Sequence, residues 1–367
     1  MLQQGVRSTV HIVGAGLSGM LLAARLRAKQ VPLRIYDTRS WLACQTDERT
    51  WSFHHSDVPE ALSTWLMPLV SHTWPGQAVD LGATKISFRE PYYEIHCFDF
   101  YQKLSFLEEF FVQGSPEGDH GYLIDARGAE LCHRAGAQKF FGQRLRLKHP
   151  HGLTVPMLMH IDPRMPTVPG IVMEFAYILP FSSHEALIEI THYAQNAALD
   201  LVLLQRRLAM YLALGCYEVD EILGQESGSL PLPLTAWKPS LLPGSIGFGV
   251  RGRLFHPTTG YSTPYILRAL EPLAEALAKK QSSHACRAVV RQASSGRWFF
   301  YFLNRLLFLA TRHREADGIF RQFFSRSPVL IARFYAGRLT FKDHISMFVG
   351  RPPISIVRAL FYGGRFW

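Results

Sequence analysis

Gly14-Ala15-Gly16-Leu17-Ser18-Gly19 is a GxGxxG run, and its position constrains the fold more than any other feature of the chain. It follows the β-prone segment TVHIV at 9–13 and opens the helix-forming run MLLAARLRAKQ. VPLRIYD comes next, reading as a second strand that ends at Asp37. That order is a dinucleotide-binding βαβ unit, for FAD or NAD. Gly14 permits the tight turn, Gly16 lets the backbone approach a pyrophosphate, and Gly19 lets helix and sheet pack closely. Leu17 and Ser18 begin the helix, whose N-terminus offers N–H groups and a positive dipole end to phosphates. Asp37 lies 23 positions after Gly14, where an acid accepts ribose hydroxyls. A lone GxGxxG says little; the strand, helix and acid around this one make it specific.

The chain has 367 residues, long for one core, which suggests two interlocked domains. Its 25 Phe and 7 Trp suit a large core or an apolar ligand cavity. A net charge of +10 favours polyanions or an anionic membrane face. The basic residues are dispersed and no zinc-finger or RNA-binding motif occurs, so nucleic acid is not the expected partner. Five widely spaced Cys, with no CxxC pair, exclude a zinc knuckle or dithiol motif and fit a reducing compartment. No metal site is expected. The βαβ unit starts too early to leave room for a signal peptide, and no uncharged apolar stretch is long enough to span a bilayer. The nearest, Trp298 to Ala310, carries Arg305. It reads equally as a buried helix or as an interfacial helix with Arg297 and Arg312 reaching headgroups.

Strands are expected at 92–100 (leading into a helix near 99–112), 122–128, 140–147, 171–180 and 185–193, and an amphipathic helix at 199–216. A helix is expected from Tyr265 to Lys280, and mostly helix beyond 290. The expected division is 1–75 for the nucleotide domain and 76–240 for an antiparallel substrate domain. Residues 122–150 and 241–290 would return to the nucleotide domain, with a helical region at 291–367.

TWSFH at 50–54, DARG at 125–128, HGLT at 151–154, LIEITHY at 187–193, ESGSLPLPL at 226–234, LFHPTTGYSTP at 254–264, RFYAGRLTFKDHI at 333–345 and GRPP at 350–353 stand in one order along the chain. With the glycine motif they resemble the bacterial lycopene β-cyclase family. The resemblance implies an α/β fold: a glutathione-reductase-like FAD-binding Rossmann domain, an antiparallel-sheet substrate domain and a helical C-terminal part. It also implies reduced FAD with NAD(P)H as reductant and an acyclic carotene as substrate. The chain would then sit peripherally on the cytoplasmic side of the membrane, with other carotenoid enzymes as partners. The ψ-ends of lycopene would become β-ionone rings, through γ-carotene, with no net redox change. Protonating such a weakly basic alkene demands a carboxylic acid sheltered from water. Aromatic faces can stabilise the resulting cation without quenching it.

By strand alternation alone, Glu189 opposes Ile188 and Ile190 and reads as surface-facing; the resemblance makes it the acid–base group. Glu226 is either catalytic or the anchor of a loop. Asp125 and Arg127 form a turn that the resemblance puts near the flavin. His256, Pro257, Thr258, Thr259 and Gly260 are expected to approach the flavin too. Trp51 and His54 are either core or lining of a polyene tunnel. The chain departs from the family pattern at Ile190 and His160, where acids are usual, and at Asp47-Glu48-Arg49. Acids missing at 160 and 190 would take charge out of the acid–base region. Two other activities share the glycine motif: an FAD-dependent oxidoreductase on an apolar substrate, and a non-catalytic carotenoid-binding paralogue.

Overall fold

The computed structural model describes residues 9–82, 84–118, 121–129, 135–311 and 315–348. Short runs rich in β-branched residues pair as a five-stranded parallel sheet. Its order is Ile246–Gly247, Tyr122–Asp125, Val10–Val13, Leu33–Asp37 and Phe111–Gln113. Val10, Ile12, Ile35 and Ile124 are fully buried, as the strands of a parallel sheet with covered faces require. The helix Leu17–Ala28 shares this core with Thr263–Ala278, and Glu271 of the second helix accepts from Arg25 (2.8 Å) and pairs with Lys29 (2.6 Å) of the first.

A seven-stranded sheet forms the second domain. Its order is Val219–Pro233, Ala135–Leu147, Glu185–Ala194, Ile171–Pro180, Met157–His160, Gln77–Asp80 and Lys85–Phe88. All neighbours are antiparallel except Met157–His160 with Gln77–Asp80. Both faces of its centre are covered. Ile188 and Ile190 pack with Leu204, Leu208 and Tyr211 of the helix Leu201–Leu214, which Asp200 caps by accepting from the Leu203 amide. On the other face, Phe175 and Tyr193 pack with Leu307, Phe308 and Phe324 of the C-terminal region.

A small antiparallel sheet, Thr50–His54 with Tyr92–His96 and His72–Trp74, joins the two domains. Phe53, Tyr93 and Ile95 belong to the nucleotide-domain core, while Trp74 and Tyr92 pack with Leu179 and Leu187 of the large sheet.

The chain is divided differently from the expectation in three places. Of residues 122–150, only Tyr122–Asp125 joins the nucleotide sheet, and Ala135–Leu147 runs through the large one. The expected helix at 99–112 is Cys97–Lys103, after which Phe111–Gln113 returns to the nucleotide sheet. Val219–Pro233 is a fifteen-residue strand where no strand was expected.

The apolar segment forms the helix Trp298–Arg305 and the π-helical turn Leu306–Ala310. Phe299, Phe300, Asn304 and Phe308 are buried, while Trp298 and Leu309 are exposed. Arg297 does not reach outward. It is buried, donating to the carbonyls of Arg253 and Phe255 and to the Tyr301 hydroxyl. Arg312 and the GRPP run lie outside the described residues. Among the described residues no helix is long and apolar enough to cross a membrane.

Candidate functional site

A cavity of 710 Å³ opens at the carboxyl ends of the parallel strands, where open α/β sheets bind ligands. Gly14, Gly16, Leu17, Ser18, Asp37, Arg39, Arg49, Trp51, Arg127 and Ser262 are among its walls. Gly14 has φ +108°, and a Cβ there would lie 2.6 Å from the Ala126 carbonyl oxygen. A Cβ on Gly16 would meet nothing, so that backbone faces open space. The first-turn amides of the helix after it have no intrahelical acceptor.

Asp37 accepts from the amides of Ala15 (3.0 Å) and Arg39 (3.1 Å) and from the Arg39 guanidinium. Burial opposes its charge, but these hydrogen bonds win and hold the carboxyl below its ordinary range. Asp47 ties Arg39 to Arg49, fixing two cations at the cavity wall. The residues present thus fit a dinucleotide: open backbone for phosphates, an acid for ribose and fixed guanidinium groups.

Asp125 is fully buried and does not line the cavity. It orients Arg127, through bonds of 2.7 and 2.8 Å, and accepts from the Leu242 amide. Gly19 likewise packs against the Gly14 turn. His256 and Pro257 are buried behind the cavity. The His256 Nδ1 accepts from the Thr258 and Thr259 amides and its ring packs on Phe300 and Phe334, so it shapes the turn. Burial, with Arg297 nearby, depresses the imidazole to about 3, leaving it neutral. Thr258, Thr259 and Gly260 are half-buried, and the same loop reaches the cavity at Ser262.

The second constellation lies on the large sheet. Register puts Tyr177, Glu189, Gly142 and Glu226 in one row across four neighbouring strands. Residues directly opposed in a sheet share a face, so both carboxyls project to the same side with a glycine between them. A Cβ on Gly142 would lie 3.1 Å from the Glu189 Cβ and 3.2 Å from Leu187 Cδ1. Glu189 is buried and accepts from the Thr191 hydroxyl at 2.6 Å. Burial, reinforced by the charge of Glu226, pushes its carboxyl well above the usual range. Glu226 accepts from the Thr50 amide (3.1 Å) and hydroxyl, and burial raises it less, to about 7. It stands on a strand, not in a loop.

The structure adds residues that sequence reasoning missed. The Tyr177 hydroxyl meets that of Tyr92 at 3.2 Å, and burial keeps both phenols neutral. Glu94, opposite Ser52, is 1% exposed and its Oε1 has no partner. Burial pushes it up to about 8. His54 packs its ring 4.9 Å from Tyr92, takes a hydrogen bond from Gln77 and faces a second cavity of 440 Å³ lined by Leu158, Phe324, Ile331 and Tyr335. Trp51, by contrast, lines the nucleotide cavity.

The family described as Lycopene cyclase protein matches residues 9–114 and 119–361. The chain belongs to the lycopene cyclase family. A lycopene β-cyclase of Pantoea ananas is 33% identical over 375 residues, covering 95% of this chain and 96% of that protein. A geranylgeranyl bacteriochlorophyll reductase-like protein of Thermoplasma acidophilum superposes with a TM-score of 0.65 at 11% identity, over 96% of this chain and 99% of that one. A flavoprotein/dehydrogenase of Cytophaga hutchinsonii gives 0.62 at 13%, over 98% and 100%. At such identities the likeness concerns the fold, and it bears out the α/β architecture with its parallel sheet and helical C-terminal part.

The places where this lycopene cyclase family member departs from the family pattern are now in view. Ile190 packs against the helix Leu201–Leu214, and His160 bonds Tyr211 on that same helix. Asp162 is held ionised by Arg164. The departures at 190 and 160 therefore lie on the face opposite Glu189 and Glu226, so they take no charge from the carboxyl row, while the third, at Asp47-Glu48-Arg49, borders Glu226.

Proposed function

We propose that this chain is a flavin-dependent cyclase that closes β-ionone rings on the ψ-ends of lycopene, through γ-carotene, with no net redox change. The observation that carries this reading is the pair of buried Glu189 and half-buried Glu226, separated by a glycine and pushed to different proton affinities. Paired groups pushed apart in this way divide acid and base roles between them. Glu189, protonated at neutral pH, gives its proton to the terminal alkene. Neutral phenols of Tyr92 and Tyr177 flank the resulting cation without forming a bond to it. The neighbouring double bond attacks the cation, and Glu226, the more acidic member, takes the proton that leaves the ring. A proton then passes from Glu226 to Glu189 across the gap at Gly142, closing the cycle.

FAD would be held by Gly14, Gly16, Leu17, Ser18, Asp37 and Arg127, with NAD(P)H keeping it reduced. When bound, reduced flavin supplies an electron-rich ring that favours positive charge nearby. Gly14→Ala forces a side chain into a left-handed backbone and against Ala126. The purified variant is expected to lose most of its flavin absorbance.

The substrate is insoluble in water, so we also infer peripheral attachment to the cytoplasmic face of a membrane. Trp298, Leu309, Val329, Phe341 and Ile345 are exposed in the C-terminal region, and the net charge is +10. Neighbouring carotenoid enzymes are the partners this location would supply.

The test is pigment analysis after expression in cells that accumulate lycopene. β-Carotene or γ-carotene is the expected product. Lycopene alone, recovered beside soluble flavin-loaded protein, would refute the cyclase reading, and protein-bound uncyclised carotene would indicate a binding protein instead.

A further inference from the structure

Glu94 takes no part in the cycle above, yet three observations bring it to the carboxyl pair. The first is register. Glu94 is opposite Ser52 on Thr50–His54, and Thr50, two residues away on the same face, is the residue that holds Glu226. Such diagonal positions are about 7–8 Å apart, within reach of a glutamate side chain. The second is its isolation: at 1% exposure Glu94 has an oxygen, Oε1, without a partner, although a buried carboxyl ordinarily finds one. The third is a crevice of 10 Å³, the room of a single water, whose wall includes Thr50, Glu226 and Arg144; Glu94 is not in that wall, but Arg144 is the charge that acts most on its carboxyl. Exposed Gln225 and half-exposed Glu48 share that wall with Glu226.

We propose that Glu94 is the proton port of the site, through which the Glu189–Glu226 pair exchanges its proton with water. This rests on the cyclase reading above. While Glu226 holds the ring proton, the Glu94 carboxyl gives its own proton to water, takes the one on Glu226 and hands back one drawn from water, so that one proton leaves the site for each that enters. Each step moves one proton and no electrons. The groups around Glu94 suit the task. Arg144 favours its ionised form, with Lys103 from the helix below; Asp99 and Glu226 oppose it. His72 stands opposite on the third strand, and His96 lies two residues along. Burial outweighs the cations and keeps the proton on Glu94 to about pH 8.

Deuterium content reads this directly. A pair that recycles one proton returns ordinary hydrogen to each new ring, whereas a pair open to solvent delivers deuterium. In D₂O the wild-type protein is expected to place close to one deuterium in every ring. Glu94→Gln is expected to lower that content at least threefold while flavin stays bound, and Glu94→Asp to restore much of it. Equal deuterium content in wild type and Glu94→Gln would overturn the proposal. An infrared titration reads the residue without turnover. The wild-type spectrum should show a protonated carboxyl band that persists past neutral pH and vanishes in Glu94→Gln; no difference between the two would also overturn it. If the wild-type protein forms no ring at all, the cyclase reading falls, and the infrared titration still reports on Glu94.

Discussion

Glu189→Gln is expected to abolish ring formation, with a loss of roughly 10³-fold or more, equivalent to about 4 kcal/mol of barrier. The amide keeps the size of the carboxyl and can still pair with Thr191, but it has no proton acidic enough for an alkene. Flavin content should not change, because Glu189 lies on the large sheet and the nucleotide cavity is built by other strands. Product analysis of purified, flavin-loaded variant checks both halves. Full activity would remove Glu189 from the chemistry. The pH profile carries a sign. Glu226 must be ionised to accept a proton, so activity should fall as pH drops through about 7. Glu189 must be protonated, so activity should fall again at higher pH, and the two limbs belong to the interacting pair. Glu226→Gln should lower ring formation strongly, and what activity it keeps should lack the acidic limb.

Gly142→Val is expected to be nearly as damaging. Even one added carbon would stand 3.1 Å from the Glu189 Cβ, and valine adds two more in the gap between the carboxyls. Overpacking of this kind costs about 1–3 kcal/mol of stability. The larger effect is on turnover, since the two carboxyls would be pried apart or screened from each other. A hundredfold loss of ring formation, with flavin retained and only a modest drop in thermal midpoint, is the expected result. A variant that is as active as wild type would show that the gap is not used.

The nucleotide half of the fold was legible because its rules are local. Glycine spacing, the strand before and the acid after each demand a particular backbone, and Gly14 and Asp37 stand where that reasoning put them. The carboxyl row was much less legible. Alternation in LIEITHY separates Glu189 from Ile188 and Ile190, but it does not say which face is wet. The pattern alone favoured solvent for Glu189, and the structure covers both faces, with the helix Leu201–Leu214 taking the isoleucines. Glu226 was left between a catalytic role and the anchoring of a loop, and Gly224, Gly228, Pro231 and Pro233 break the look of a strand around it. Long pairing with Ala135–Leu147 overrides that weak local preference. Glu94 left no trace in the sequence at all. A glutamate between aromatic and aliphatic neighbours becomes informative only when its register partner is known. The same limit explains His256, whose motif was recognised but whose ring turned out to brace the loop.

The nucleotide sheet collects its strands from residues 10–37, 111–125 and 246–247, with the large sheet threaded between those visits. A polypeptide wound back and forth in this way has no seam. Neither half contains a contiguous stretch that could be excised and expressed with its own sheet complete. Swapping one half for that of a distant relative would require cutting the backbone at several places at once. Both lobes must therefore mature together, and a ribosome has to release most of the chain before either can close.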